Sequence, residues 1–364
     1  MFNLVNVIFL FAVLLFMEFR ELVGRFRWRS FEDYLGEEDS VLAEDVRFFR
    51  RVRGELRRFV EGLRGFRDRL RRIDLSRIDV FRSLLYEGCV CGVDGTIAVY
   101  PTPIGVKCRI GVIAVNYAGG RLEKVVYVSD ANLIDEELRR VDELLSSLER
   151  VVRFSRLLYR TIMLYEERRI ALERDEDWRI VHGPLIPLEF RLGRLGVEGV
   201  LEACLELGAK LIDDGHVIGV LSSTNRLRIA SLGYILNPGE YLYVGELGRI
   251  MEAEKRRLTA EEESLVDDFI SKYGSKIALG IYRVGARSFV FEARKDFFDD
   301  AAHLIIADSL NNRFKGFPLL LDYADSMCRT LLNSSDFERK IENMYLIEEG
   351  EEGLLSFDER RLRG

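Results

Sequence analysis

Between positions 49 and 73 the apolar residues Phe49, Val52, Leu56, Phe59, Leu63, Phe66, Leu70 and Ile73 alternate at spacings of three and four. Sustained over about three and a half heptads, this spacing predicts a helix with one narrow apolar seam. Further on, the period changes to two. Short β-branched runs at 88–100, 108–117 and 124–129 predict three strands, with Gly119-Gly120 turning the second into the third. Positions 130–174 then read as a long helix with Leu144, Leu148, Val151, Val152, Leu158, Ile162 and Met163 on its apolar side. A strand follows at 178–181, ended by His182-Gly183-Pro184. A helix over 195–212 closes at Asp214-Gly215, and a buried strand is expected at 217–221. The remaining third predicts a helix at 259–273, a hairpin of 277–284 with 288–293, and helices at 298–310 and 318–332. The charged tail from 348 is expected to fray.

Three hairpin-compatible strands followed by two helix–strand units is the ribonuclease H-like order, an α/β fold in which helices flank a mixed sheet. The chain divides into an apolar segment at 1–16, an arginine-rich helical region at 17–83, a ribonuclease H-like domain with insertions at 84–335, and a charged tail at 336–364. At 364 residues, 48% hydrophobic and 32% charged, it can bury a sizeable core and is neither disordered nor low-complexity.

Charge is unevenly spread. The net charge is −7, yet between 47 and 72 eleven arginines face only Glu55, Glu61 and Asp68. That helix either packs, solvated, on its own domain, or pairs with another helix while its arginines meet phosphate. Only nine lysines stand among the 54 basic residues and glutamine is absent, a composition that fits a hot habitat. The five cysteines are scattered through apolar runs, which argues against a disulfide framework and for a reduced, cytoplasmic setting. Cys89-x-Cys91, with a single residue between its two sulfurs, makes a poor zinc pair. Residues 3–16 (NLVNVIFLFAVLLF) are shorter than the roughly 20 a spanning helix needs, and no basic segment precedes them. They read as a short anchor or as codons upstream of the true start, the second preferred. No membrane partner is expected.

Asp94 is the most informative residue. It lies in Val90-Cys91-Gly92-Val93-Asp94-Gly95-Thr96 on the first strand of the sheet, where aspartate is depleted and a buried carboxylate needs a partner. It binds a cation, holds a hydrogen-bonded structural role, or caps a turn. Convergent carboxylates would support divalent-metal phosphodiester hydrolysis. On the long helix, Glu167 has Met163, Leu164, Ile170 and Ala171 at helical spacing, so it turns inward, whereas Glu166 is set to pair with Arg169. His182 ends the fourth strand. Asp322 and Asp325 share a helix behind Gly316-Phe317-Pro318, while His216 and His303 read as structural or surface residues. No P-loop, dinucleotide fingerprint or nucleophile elbow is present. An actin-like or sugar-kinase ATPase would share the sheet, but no second phosphate motif accompanies Asp94-Gly95-Thr96.

In order and spacing these motifs resemble the NurA nucleases. Val93-Asp94-Gly95-Thr96 looks like their Asp-Gly-Ser/Thr motif, preceded by an arginine-rich helix. The helical glutamate, Val181-His182-Gly183-Pro184-Leu185, and Lys315-Gly316-Phe317-Pro318 leading to Tyr323-Ala324-Asp325 follow in turn. The resemblance runs from Met17 to about Leu332. It implies a metal-dependent DNA nuclease acting in end resection, a homodimer, Mn²⁺ with Mg²⁺ as the alternative, and partnership with a HerA-like hexameric translocase. It implies Asp94, Glu167 (or Glu166), His182 and Asp325 as catalytic and metal-binding residues. His182 stands where aspartate is usual in the family, Asp325 where histidine is common and Ser222 where lysine is frequent. The alternative is a catalytically degenerate dimer that binds DNA and the translocase without efficient cleavage.

Overall fold

The computed structural model describes residues 30–63, 65–102, 105–133, 141–191, 197–222, 230–254 and 258–349. The apolar segment 1–16 lies outside the described residues, as does the tail beyond 349. No helix among the described residues is long and apolar enough to cross a membrane.

The first helix, α1 (Phe31–Glu61), begins where Ser30 caps the Asp33 N–H and ends at Gly62. The seam was expected to run on to Ile73. Instead the chain turns after Gly62 and enters a short strand, β1 (Leu70–Arg72). Within the seam, Leu56, Leu63, Phe66 and Leu70 pack as expected, but Val60 is buried and Phe59 is exposed. The seam follows the 3.6-residue helix rather than a supercoil's 3.5, so it drifts by a position. Its partner is the molecule's own sheet, through Leu242, Leu279 and Ile281.

Helix α2 (Leu75–Tyr86) leads to the three expected strands, β2 (Val90–Thr102), β3 (Gly105–Asn116) and β4 (Arg121–Ser129), each antiparallel to the next. The long helix α3 (Val141–Glu173) returns the chain to β5 (Trp178–His182). Then come α4 (Val200–Asp214), β6 (Val217–Leu221), α5 (Ala230–Tyr234), β7 (Glu240–Glu246), α6 (Leu247–Glu254), α7 (Ala260–Tyr273), β8 (Ile277–Arg283) and β9 (Ser288–Arg294). Helices α8 (Phe298–Ser309), α9 (Leu319–Leu332) and α10 (Ser334–Glu349) complete the described chain. Most of these match the predicted spans. Helix α4 starts five residues late, and β1 and β7 lie where the periodicity predicts no strand. Residues 336–349, expected to be tail, form most of α10, anchored by Phe337 and Ile341 against Ala98 and Tyr100.

The nine strands of the described residues form one mixed sheet in the order β1-β7-β8-β9-β6-β5-β2-β3-β4. Strands β2, β5 and β6 are mutually parallel and occupy its centre. Helices α2, α8 and α9 cover one face through Ile78, Phe81, Ile306 and Leu321. Helices α3, α4 and α7 cover the other through Leu164, Leu211 and Phe269. This is the ribonuclease H-like arrangement expected from the element order.

Candidate active site

Strand β2 pairs with β5 only from Val90 to Val93, opposite Trp178 to Val181, and then runs on alone against β3. Asp94 is the first residue past that pairing. Asp94 therefore lies beside the carboxyl ends of the parallel strands β5 and β6, the usual place for a site in such a sheet. Asp94 is 2% exposed. Its Oδ1 accepts the Gly95 N–H at 2.9 Å and faces His182 Nδ1 at 3.0 Å, while its Oδ2 is buried without any hydrogen-bond partner.

Glu167 approaches from α3, on the opposite face. Gly95 makes that possible: a Cβ there would sit 2.6 Å from Glu167 Oε1 and 2.8 Å from Met163 Cγ. Glu167 is 1% exposed, turned inward as its helical spacing predicts, and Glu166 pairs with Arg169 and Lys124. Burial pushes the Glu167 carboxyl up to about 7, opposed by the Arg168 guanidinium and raised further by Asp94. Burial likewise raises Asp94, with His182 pulling the other way. His182 loses charge stability by burial, yet Asp94 holds its imidazole above the ordinary range.

His182 caps β5 with both ring nitrogens engaged, Nδ1 by Asp94 and Nε2 by Ser222 Oγ at 2.8 Å. Its ring also meets Phe317 edge-on at 5.6 Å between centroids. Asp325 on α9 lies close enough to act electrostatically on Asp94 and His182, but its Oδ1 accepts from Arg329 at 2.8 Å. Asp322 turns away to Lys315 and Asn312. His303 bridges the Asp74 N–H and the Asp299 carbonyl, and His216 stacks on Trp178 and Phe297, so both are structural as expected.

Two residues the sequence reading passes over hold the site in place. Arg168 is fully buried. It pairs with Glu167 and donates to the carbonyls of His182 at 2.9 Å and Pro184 at 2.7 Å. Glu292, on β9, accepts the Leu185 N–H at 2.8 Å and so ties down the turn after His182. An acid in the apolar run Phe289-Val290-Phe291-Glu292-Ala293 carries the same signal that marks Asp94. Arg168 has no such local signal, because its partners lie 14 and 16 residues away.

A divalent cation fits these residues. Asp94 Oδ2 is an orphaned, buried carboxylate oxygen, Glu167 lies within electrostatic reach of Asp94, and Mg²⁺-like ions are commonly held by one or two carboxylates plus substrate phosphate. Among the described residues no group of three or more His, Cys, Asp or Glu side chains is arranged to hold a metal ion.

The sequence matches no protein-family model and no curated protein. The fold has solved counterparts. The NurA nuclease from Sulfolobus solfataricus aligns over 89% of this chain and 99% of its own, with a TM-score of 0.50 at 13% identity. A NurA structure bound to dAMP and manganese aligns over 82% of this chain and 93% of its own, with a TM-score of 0.45 at 10% identity. An endonuclease V from Bacillus subtilis aligns over 69% and 82%, with a TM-score of 0.33 at 10% identity. The nine-stranded sheet, its flanking helices and the near-complete overlap with the Sulfolobus protein give this chain a NurA-like fold.

Proposed function

We propose that the protein is a divalent-metal-dependent DNA nuclease that hydrolyses phosphodiesters at a site built around Asp94. The observation that carries this reading is Asp94 Oδ2, a carboxylate oxygen buried in the sheet with no donor, with a second buried carboxylate, Glu167, within electrostatic reach of Asp94. Asp94 and Glu167 would hold the cation, Mn²⁺ or Mg²⁺, which supplies Lewis-acid polarisation of the phosphate when bound. Arg168 keeps Glu167 aimed at Gly95, and His182 with Asp325 lines the entrance. The exposed arginines of α1, among them Arg47, Arg50 and Arg51, supply a cationic surface for the strand. The exposed apolar row Leu35, Leu42, Val46 and Phe49 on the same helix supports self-association as a homodimer. A HerA-like hexameric translocase is the proposed partner in processing DNA ends, by the family resemblance.

The test is cleavage of labelled linear DNA with Mn²⁺ by the wild type and by Asp94→Asn, alongside calorimetric Mn²⁺ binding. Loss of both in the variant is expected; unchanged cleavage refutes the reading. One observation favours a second reading, a dimer that binds DNA without turnover. Asp94 Oδ1 and Glu167 Oε2 already face nitrogen partners in His182 and Arg168. Wild-type DNA binding without cleavage would support it.

A further inference from the structure

Phe314 is 94% exposed, more than any other large apolar side chain among the described residues. Single apolar residues on a surface are common and need no role; this one is set apart by its surroundings. It stands on the connection between α8 and α9, between the exposed cations Arg313 and Lys315. That connection is held firmly. The Gly316 N–H donates to the Asn312 carbonyl at 2.7 Å, and Asn312 Nδ2 and Lys315 Nζ both donate to the Asp322 carboxylate. Gly285 packs against it so closely that a Cβ there would lie 3.0 Å from the Phe314 carbonyl oxygen. An apolar ring held in water by a fixed backbone adds nothing to the core and is free to cover a ligand.

The ring also belongs to the end of the sheet that carries the candidate site. Strand β9 is antiparallel to β6, with Val290 opposite Leu221, so the turn joining β8 to β9 lies where β6 finishes. Gly285 is part of that turn. Phe317, whose ring meets His182 edge-on, is only three residues beyond Phe314, so their Cα atoms are at most about 11 Å apart. Arg283, at the start of the same turn, and Arg53 on α1 donate to one carbonyl, that of Leu236, at 2.9 and 2.6 Å. Phe314 is thus linked through short contacts to His182 on one side and to the arginine-rich helix on the other.

We propose that Phe314 is a stacking platform for a nucleobase of the bound DNA strand, with Arg313 beside it to meet a flanking phosphate. A base covers the ring with its flat face while cations hold the backbone, the combination that grips a single strand without regard to sequence. The ligand follows from the DNA-nuclease reading above, on which this inference rests; the position of the ring follows from the fold.

The test is binding of a fluorescein-labelled oligothymidylate by anisotropy, in EDTA so that nothing is cleaved. Phe314→Ala should weaken binding at least about fivefold, and Phe314→Trp should restore it. The salt dependence of affinity should keep its slope in both, since no charge is lost. Leu75→Ala, which removes another exposed apolar side chain, should bind as wild type does. With an otherwise identical oligonucleotide whose sugars lack bases, wild type and Phe314→Ala should bind alike. Equal binding of the thymidylate by wild type and Phe314→Ala overturns the proposal, as does a defect that persists on the baseless strand. A variant that binds DNA normally but changes its sedimentation coefficient would put a second copy of the chain on Phe314 and also overturn it. Mn²⁺-supported cleavage by wild type with no stacking defect in the variant leaves the nuclease reading standing while this inference falls. A stacking defect rescued by tryptophan in a protein that never cleaves DNA does the reverse.

Discussion

A carboxylate inside a sheet persists only where a donor or a cation compensates its lost hydration. Asp94 has donors for one oxygen and none for the other, and that half-satisfied state separates it from a structural aspartate such as Asp130. Asp130 accepts from the Val106 N–H and from the Tyr159 hydroxyl, one on each oxygen. Gly95 is the second requirement, because it leaves room for Glu167. Gly95→Ala should displace the Glu167 carboxylate and cut cleavage at least tenfold, at a stability cost of about 1–3 kcal/mol; urea unfolding and a cleavage assay on one preparation check both. Arg168→Ala leaves Glu167 buried without its cation and frees two carbonyls. A loss of about 3–5 kcal/mol is expected from the same unfolding experiment. Asp94 and Glu167 were legible in the sequence, the first because aspartate is rare in strands, the second because its helical neighbours are apolar. The Arg168 contacts and the Ser222–His182 bond were not, since they join residues that only the folded sheet brings together.

At the scale of elements, period and turn residues located the central strands and the helices of the two layers. They failed where an element owes its existence to distant pairing. Three residues of β1 carry no periodicity of their own and exist by pairing Leu70–Arg72 with Glu240–Leu242 of β7. The seam on α1 predicted the apolar face but not its partner, since spacing alone does not distinguish a sheet from a second helix. Helix α9 shows how such elements are fixed. Asp308, fully buried on α8, accepts the Leu320 N–H at 2.9 Å and the Tyr117 hydroxyl at 2.5 Å, joining α8, the start of α9 and the end of β3. Asp308→Ala should therefore cost about 2–3 kcal/mol, as charged hydrogen bonds do, and should raise amide exchange in the first turn of α9 before the sheet opens. Protection unchanged in that turn would show that apolar packing alone holds the helix.

For the molecule as a whole, buried acids couple stability to pH. Burial pushes Glu292 up to about 7 and Asp308 up to about 6, against ordinary values of 4.5 and 3.8. Each folded-state pKa is raised, so the native state binds more protons than the unfolded chain between those values, and stability falls as pH rises through that window. For Glu292 the loss is on the order of 3 kcal/mol. The denaturation midpoint should decline between pH 5 and 8, and Glu292→Gln should flatten that decline while retaining the bond to the Leu185 N–H. The arginines concentrated on α1 of a chain with net charge −7 should make DNA affinity fall steeply with salt, and replacing Arg47, Arg50 and Arg51 together should shallow that dependence by about three charges. The proposed function requires Asp94 to act on a DNA phosphodiester. The most direct measurement is the rate of Mn²⁺-supported cleavage of a labelled duplex by Asp94→Asn relative to wild type, with the fold of both confirmed by circular dichroism. A fall of at least about 1,000-fold in a folded variant is predicted; a folded variant cleaving within a factor of a few of wild type contradicts the account.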